Sequence, residues 1–192
     1  MKINESKSIQ CTFTLRKGIC PPIALNEQIL PTAQSTCYLG IIIDQRLTWS
    51  PHLRSKLLSL NNRFRLLRSL LTSNHIKLPT KLLIYKLYLK PMWTYGIQLW
   101  GPAKISNANR IQRFQSKTLR AITKAPFYVS NQTLHNDLAI PPVCDVARTF
   151  YRRFNLSAKN HDNPLIKGLA SANIPDNPRK RLKRRWCRDL LI

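Results

Sequence analysis

Tyr85-Lys-Leu-Tyr-Leu-Lys-Pro-Met-Trp-Thr-Tyr-Gly-Ile-Gln-Leu-Trp-Gly101 is nearly all apolar and aromatic, interrupted by lysine, proline, glycine and a few polar side chains. It is too broken to cross a bilayer, so it reads as the central buried element of a small domain. A helix is expected to start near Pro79-Thr80 and run through Leu82, Leu83, Leu87 and Tyr88 towards Trp100, with a kink or break at Pro91. It is apolar nearly all round, which implies burial by its neighbours.

Upstream, Leu53, Leu57, Leu60, Phe64, Leu67 and Leu71 recur at spacings of three and four, the mark of one apolar helix face. Ser50 is suited to cap this helix, with Pro51 at its first position. Arg54, Lys56, Arg63, Arg65 and Arg68 fall mostly off the apolar face, as either a solvated basic surface or a phosphate-facing one. Downstream, a third helix capped by Ser106 or Asn107 carries Ile111, Phe114, Leu119 and Ile122 inside. Arg110, Arg113, Lys117, Arg120 and Lys124 lie outside, and Ala125-Pro126 ends it. One or two helical turns are expected over Thr133 to Leu138. Val143, Val146, Ala147, Phe150, Tyr151 and Phe154 mark another amphipathic helix, and Leu165 to Leu169 a brief one.

The start of the chain has a different period. Ile9 to Leu15 alternates as a half-buried strand should, and Asn26-Glu27 is a hairpin turn between Ile23–Leu25 and Gln28–Leu30. Tyr38 to Ile43 is a β-branched apolar run and the best strand of the chain. The expected fold is α+β, mostly α. A small strand and hairpin region covers 1–45, a helical bundle 46–125, a further helical region 126–176 and a basic, unstructured tail 177–192. Strand character gives way to helix between Asp44 and Ser50.

A hydrophobic content of 43% over 192 residues suffices for a packed core. Lys and Arg number 32 against 8 Asp and Glu, a net charge of +24. Such an excess repels itself in the compact state unless a polyanion neutralises it. Nucleic acid is the expected partner, and an acidic membrane surface the second choice, since no lipidation motif or amphipathic anchor stands out. Cys11, Cys20, Cys37, Cys144 and Cys187 are odd in number and lack CxxC spacing, so they read as reduced thiols of an intracellular protein. No apolar stretch of a signal peptide follows Met1.

The acids are Glu5, Glu27, Asp44, Asp137, Asp145, Asp162, Asp176 and Asp189, none adjacent and none in a DxD or ExxH pattern. Two-metal phosphoryl transfer needs carboxylates converging on ions about 3.5–4 Å apart, and no local motif supplies them. His52, His75, His135 and His161 lack ligand spacing. No Walker, GxSxG or GxGxxG pattern occurs. From its residues alone the chain reads as a basic, helix-rich binding domain and not a complete enzyme.

Several segments then occur in a telling order: Lys2 to Ser8 with Thr12 to Arg16, Cys37 to Asp44, Leu47-Thr-Trp49 with His52, Trp93 to Gly96, Leu99 to Gly101, Ile111 to Lys117, Ala125 to Val129, and Arg181 to Arg185 through Leu190. Over essentially the whole chain they resemble the C-terminal part of a jockey-like non-LTR retrotransposon reverse transcriptase. The resemblance makes 1–45 a palm remnant and 46–125 a thumb. It implies motif D at Asn4 and Lys7, with Lys7 a general acid beside the incoming triphosphate in a full polymerase. It also implies motif E, the primer grip, at Tyr38, Leu39 and Gly40, where Gly40 would let backbone approach the primer.

Arg54, Arg63, Arg65, Arg68, Lys117 and Arg120 become the expected phosphate contacts, with Arg181, Lys183, Arg184 and Arg185 adding to them from the tail. The implied partners are an RNA–DNA hybrid or RNA, and the missing polymerase portion; no membrane is implied. The family's catalytic aspartates and their Mg2+ belong upstream, so the chain alone is expected to be inactive and to bind no cofactor. The basic tail suits a nuclear location. Two rival readings are a stand-alone basic nucleic-acid-binding protein and a non-functional retrotransposon remnant.

Overall fold

A computed structural model describes residues 4–14, 20–170 and 187–191. It is a mostly helical α+β structure, as the periodicities imply. The chain divides into two compact units, Met1–His52 and Leu53–Ile192.

The first unit is held by two antiparallel hairpins. β1 (Ala24–Leu25) pairs with β2 (Gln28–Ile29), and Asn26 and Glu27 between them both take positive φ, 48° and 67°. That is the turn whose twist suits a two-residue hairpin, and asparagine tolerates it. β3 (Ser35–Tyr38) pairs with β4 (Ile41–Asp44), with Tyr38 opposite Ile41. Leu39 (φ 48°) and Gly40 (φ 74°) form the turn, so the expected single strand Tyr38–Ile43 is split in two. The expected strand Ile9–Leu15 is also absent over its described residues, which make only a bridge from Gln10 to Thr32. A strand forms only where a neighbour takes up its backbone groups in a continuous ladder, and here the ladder is the single bridge at Gln10. Gln10 N donates to Pro31 O (3.0 Å) and Ala33 N to Gln10 O (2.9 Å). The buried Gln10 side chain adds three bonds, accepting from Ile23 N (3.0 Å) and donating to Pro21 O (3.1 Å) and Thr12 Oγ1 (3.5 Å).

The unit closes at Asp44, a buried carboxylate that accepts from Thr48 N (2.9 Å) and Trp49 N (2.8 Å). These bonds stabilise a turn with positive φ at Leu47 and Trp49, and it delivers the chain into α1 (Ser50–Thr72).

In the second unit α1 buries Leu53, Leu60 and Leu71 and half-buries Leu57, Phe64 and Leu67, the face expected from spacing. The long apolar segment becomes α2 (Leu78–Ile84), a π-helical stretch Tyr85–Leu89, α3 (Lys90–Thr94) and α4 (Ile97–Trp100). Pro91 does not break it. The wider π turn, in which Lys90 N reaches Tyr85 O, relieves the clash of the proline ring with the preceding turn. The chain breaks instead at Gly96, in the left-handed region at φ 67°. Nor is the segment buried all round. Lys81, Tyr85, Leu89, Trp93, Ile97 and Trp100 are buried, while Leu83, Leu87, Tyr88, Tyr95 and Leu99 are exposed. At 150–250 Å² per ring and 25 cal/mol per Å², Trp93 and Trp100 each bring about 4–6 kcal/mol of transfer free energy to this core.

α5 (Ile105–Thr123), α6 (Asn131–Asp137), α7 (Val143–Lys159) and α8 (Pro164–Leu169) complete the bundle. α7 packs against α4, α5, α8 and a terminal 3-10 turn, Cys187–Leu191; α5 packs against α2 and α6. Phe64 of α1 meets Phe114 of α5 edge-on at 6.2 Å.

Polar clamps tie α5 to α6 and to the start of α7. Gln115 Nε2 donates to Pro141 O (3.0 Å), and Gln112 Oε1 accepts from Val143 N (2.8 Å). His135 Nδ1 lies 2.7 Å from Ile140 O and so must carry the proton there, leaving Nε2 to accept from Gln112 Nε2 at 3.0 Å. Residues on both sides of the expected 125/126 boundary therefore share one core. The tail expected to be unstructured over 177–192 is ordered at Cys187–Leu191, where Leu190 is buried. Arg181, Lys183, Arg184 and Arg185 lie outside the described residues.

Candidate nucleic-acid interface

Arg54, Arg63, Arg65 and Arg68 are all exposed on α1. At about 100° of rotation per residue, Arg54, Arg65 and Arg68 line one flank of the helix and Arg63 stands on the opposite flank. Lys56, expected on the outer surface, is half-buried with its ammonium 5.1 Å from the centre of the Tyr95 ring. That burial lowers its pKa below the usual lysine value.

On α5, Arg110, Arg113, Lys117 and Arg120 form one stripe at the same rotation of about 100° per residue. Arg113 and Lys117 are exposed, and Arg110 and Arg120 are half-buried. Arg120 is already engaged. Its guanidinium donates to Pro126 O, to Val129 O (2.7 Å) and to Asn131 Oδ1 (3.1 Å), bracing the loop from α5 to α6. Lys86 on the π turn and Lys90 at the start of α3 form a basic pair. Lys90 has its pKa lowered by burial and by the neighbouring charge of Lys86.

In the first unit the tip of the β3–β4 hairpin holds the expected primer-grip residues. Tyr38 and Leu39 are 65% and 71% exposed there, and Gly40 supplies a positive φ. Lys7 is exposed at the end of a 3-10 turn, Glu5–Lys7. Asn4 shapes that turn: its Oδ1 accepts from Ser6 N (3.1 Å) and Ser6 Oγ (2.7 Å), and its carbonyl from Lys7 N (3.3 Å). Asn4 therefore has a structural role, as an Asx-type turn former.

The chain is 38% identical over 190 residues to the probable RNA-directed DNA polymerase from transposon X-element of Drosophila melanogaster, a match covering 98% of this chain and 20% of that protein. It is 33% identical over 187 residues to the RNA-directed DNA polymerase from mobile element jockey of the same species, covering 96% of this chain and 20% of the relative. The chain is a homologue of RNA-directed DNA polymerases from jockey and related non-LTR transposons. The jockey polymerase of Drosophila funebris is 32% identical over 197 residues, covering 100% of this chain and 22% of the relative. The chain spans about one-fifth of the length of the curated relatives it matches. No family model and no solved structure matches it.

Among the described residues no three His, Cys, Asp or Glu side chains come together. Asp44 accepts from the Thr48 and Trp49 amides, and Asp145 faces Arg148 at 3.6 Å. No helix among the described residues is long and apolar enough to cross a membrane. Sequence reading missed the loop that Arg120 braces, because its acceptors are main-chain carbonyls that no side-chain pattern encodes. It also gave no place to Phe127 and Tyr128, which stand exposed.

Proposed function

We propose that this chain is the nucleic-acid-holding part of a retrotransposon RNA-directed DNA polymerase. It grips an RNA–DNA template–primer through the sugar-phosphate backbone and does not itself supply the catalytic aspartates. One observation carries the reading: Arg54, Arg63, Arg65 and Arg68 stand exposed along α1, off the leucine face that fixes the helix in its core, in a chain of net charge +24. A polymerase must hold every sequence it copies, so phosphate contact is the recognition it needs. The absence of any adjacent or DxD carboxylate pair supports assigning catalysis to the rest of a larger enzyme. Lys7 would act only within that enzyme, as would Mg2+, and the hairpin tip Tyr38-Leu39-Gly40 would meet the primer there. A nuclear location belongs to the same proposal and rests on the basic run from Arg179 to Arg188.

The test is binding of the full chain to RNA–DNA hybrids of unrelated sequence. Affinities should agree between sequences. Changing Arg54, Arg65 and Arg68 each to glutamine should flatten the slope of log K on log salt by about 0.9 for each phosphate left without its cation. Sequence-selective binding, or a slope that the three substitutions leave unchanged, would overturn the reading.

A further inference from the structure

Neither the core nor the arginine surface accounts for Phe127 and Tyr128. Phe127 is 93% exposed, the highest value among the large apolar residues described, and Tyr128 is 76% exposed. Their ring centroids are 5.7 Å apart with planes at 78°. Holding rings in water is unfavourable, and a loop serving only to join two helices has no need of them.

The loop is firmly built. α5 ends at Lys124 in the left-handed conformation (φ 54°), and the Lys124 ammonium reaches Asn74 Oδ1. Ala125 N donates to Thr123 Oγ1 (3.3 Å), and Val129 N to Pro126 O (3.2 Å), closing a turn with the two aromatic residues at its centre. Arg120 donates to the carbonyls on both sides of the pair, Pro126 and Val129. Ser130 then caps α6, its Oγ accepting from Thr133 N (3.0 Å). The rings stand at the tip of a braced turn, where the cationic stripe of Arg110, Arg113 and Lys117 on α5 leads.

We propose that Phe127 and Tyr128 are a stacking platform for unpaired bases of a single-stranded nucleic acid whose phosphates follow the basic stripe of α5. The inference deepens the function proposed above and rests on it. Every base has a flat face, so aromatic stacking tolerates any sequence, while the cations attract the backbone. In the edge-on arrangement each ring keeps a face open. The charge of the chain favours a polyanion over a protein surface as the occupant.

The probes are a mixed-sequence single strand carrying 2-aminopurine and an RNA–DNA hybrid of equal length, both titrated with the full chain. Wild type should quench the 2-aminopurine. The double substitution Phe127→Ala, Tyr128→Ala should remove the quench and lower single-strand affinity about tenfold or more, with hybrid affinity within about twofold. Its salt slope should stay unchanged, because the loss of stacking releases no counterions. A second variant, Phe127→Leu with Tyr128→Leu, keeps apolar surface but no ring and should behave like the alanine pair. Equal single-strand binding by wild type and the leucine pair overturns stacking. Equal losses on strand and hybrid overturn the preference for unpaired bases. Unchanged nucleic-acid binding by both variants overturns the platform and leaves the rings to a protein surface. These outcomes leave hybrid binding by wild type intact; its absence would instead bring down the underlying function and this inference together.

Discussion

Gly101 sits where α4 ends against α7, and replacing it with alanine tests that packing. Its φ of −54° suits any residue, so backbone conformation is not the constraint. Space is. A Cβ built there would lie 2.5 Å from Ile97 O, 2.8 Å from Ala147 Cβ and 3.6 Å from Leu190 Cδ1. Ala147 is fully buried and Ile97 O is main chain, so neither can swing aside. Overpacking of this kind costs about 1–3 kcal/mol. The lower chain entropy of alanine returns about 0.5–1 kcal/mol, which leaves a net loss of up to about 2.5 kcal/mol, centred near about 1 kcal/mol.

Gly168, inside α8, is the control. Nothing lies within 4 Å of its built Cβ, so Gly168→Ala should gain about 0.5–1 kcal/mol from helix propensity alone. Urea denaturation followed by far-ultraviolet circular dichroism reads both as shifts in midpoint at constant slope. The double variant Gly101→Ala, Ala147→Gly should recover part of the loss, a coupling of about 0.5 kcal/mol or more. If Gly101→Ala is as stable as wild type, or if the two glycine sites respond with the same sign, the close approach of α4 and α7 is wrong.

Tyr85 makes the high-pH limb of stability testable. Burial raises its pKa from 10.0 to about 12, against the lowering influence of the Gln115 and Trp93 side chains beside its hydroxyl. A raised folded pKa gives stability fully present below pH 10 and lost as pH climbs towards 12. Relative to Tyr85→Phe, wild type should lose about 2–3 kcal/mol across that window; parallel stability curves would contradict the burial. Asp44→Ala should expose the Thr48 and Trp49 amides to hydrogen exchange and cost about 1–3 kcal/mol in the first unit; unchanged protection would remove Asp44 from that turn. Leu39 occupies a positive-φ position, so Leu39→Asn should hold or raise hairpin stability by up to about 1 kcal/mol, whereas Leu39→Ile should lower it. Melting of the two variants reads the difference, and the reverse order would deny the turn.

The helices that show one apolar stripe, α1, α5 and α7, were legible because burial on a single side repeats at three and four. The π turn was harder. Its trace is a run of fours, Lys81, Tyr85, Leu89, Trp93 and Ile97, longer than a regular helix with 3.6 residues per turn would keep on one face. From composition the hairpin at Leu39-Gly40 was hidden by the β-branched residues after it, which read as one strand with Tyr38; the resemblance to motif E, itself a hairpin, implied the turn. Ile9–Leu15 alternates correctly, yet alternation cannot supply a partner strand.

The exposure of the α1 arginines was legible because it follows from the leucine face, although they fall on two flanks of the helix and not on one. The engagement of Arg120 was not, since it depends on carbonyls that tertiary folding brings back to α5. The resemblance ordered these segments where no single motif could, and the relatives at 32–38% identity bear it out. It carried no information on which cations remain free to meet phosphate.

The most direct measurement is the affinity of the full chain for an RNA–DNA hybrid, followed by fluorescence anisotropy as salt rises from about 50 to 200 mM. If the arginines of α1 and the cations of α5 grip the backbone, log K should fall linearly with log salt at about −0.9 per phosphate neutralised, whatever the sequence of the hybrid. A flat dependence, or no binding at low salt, would contradict the account.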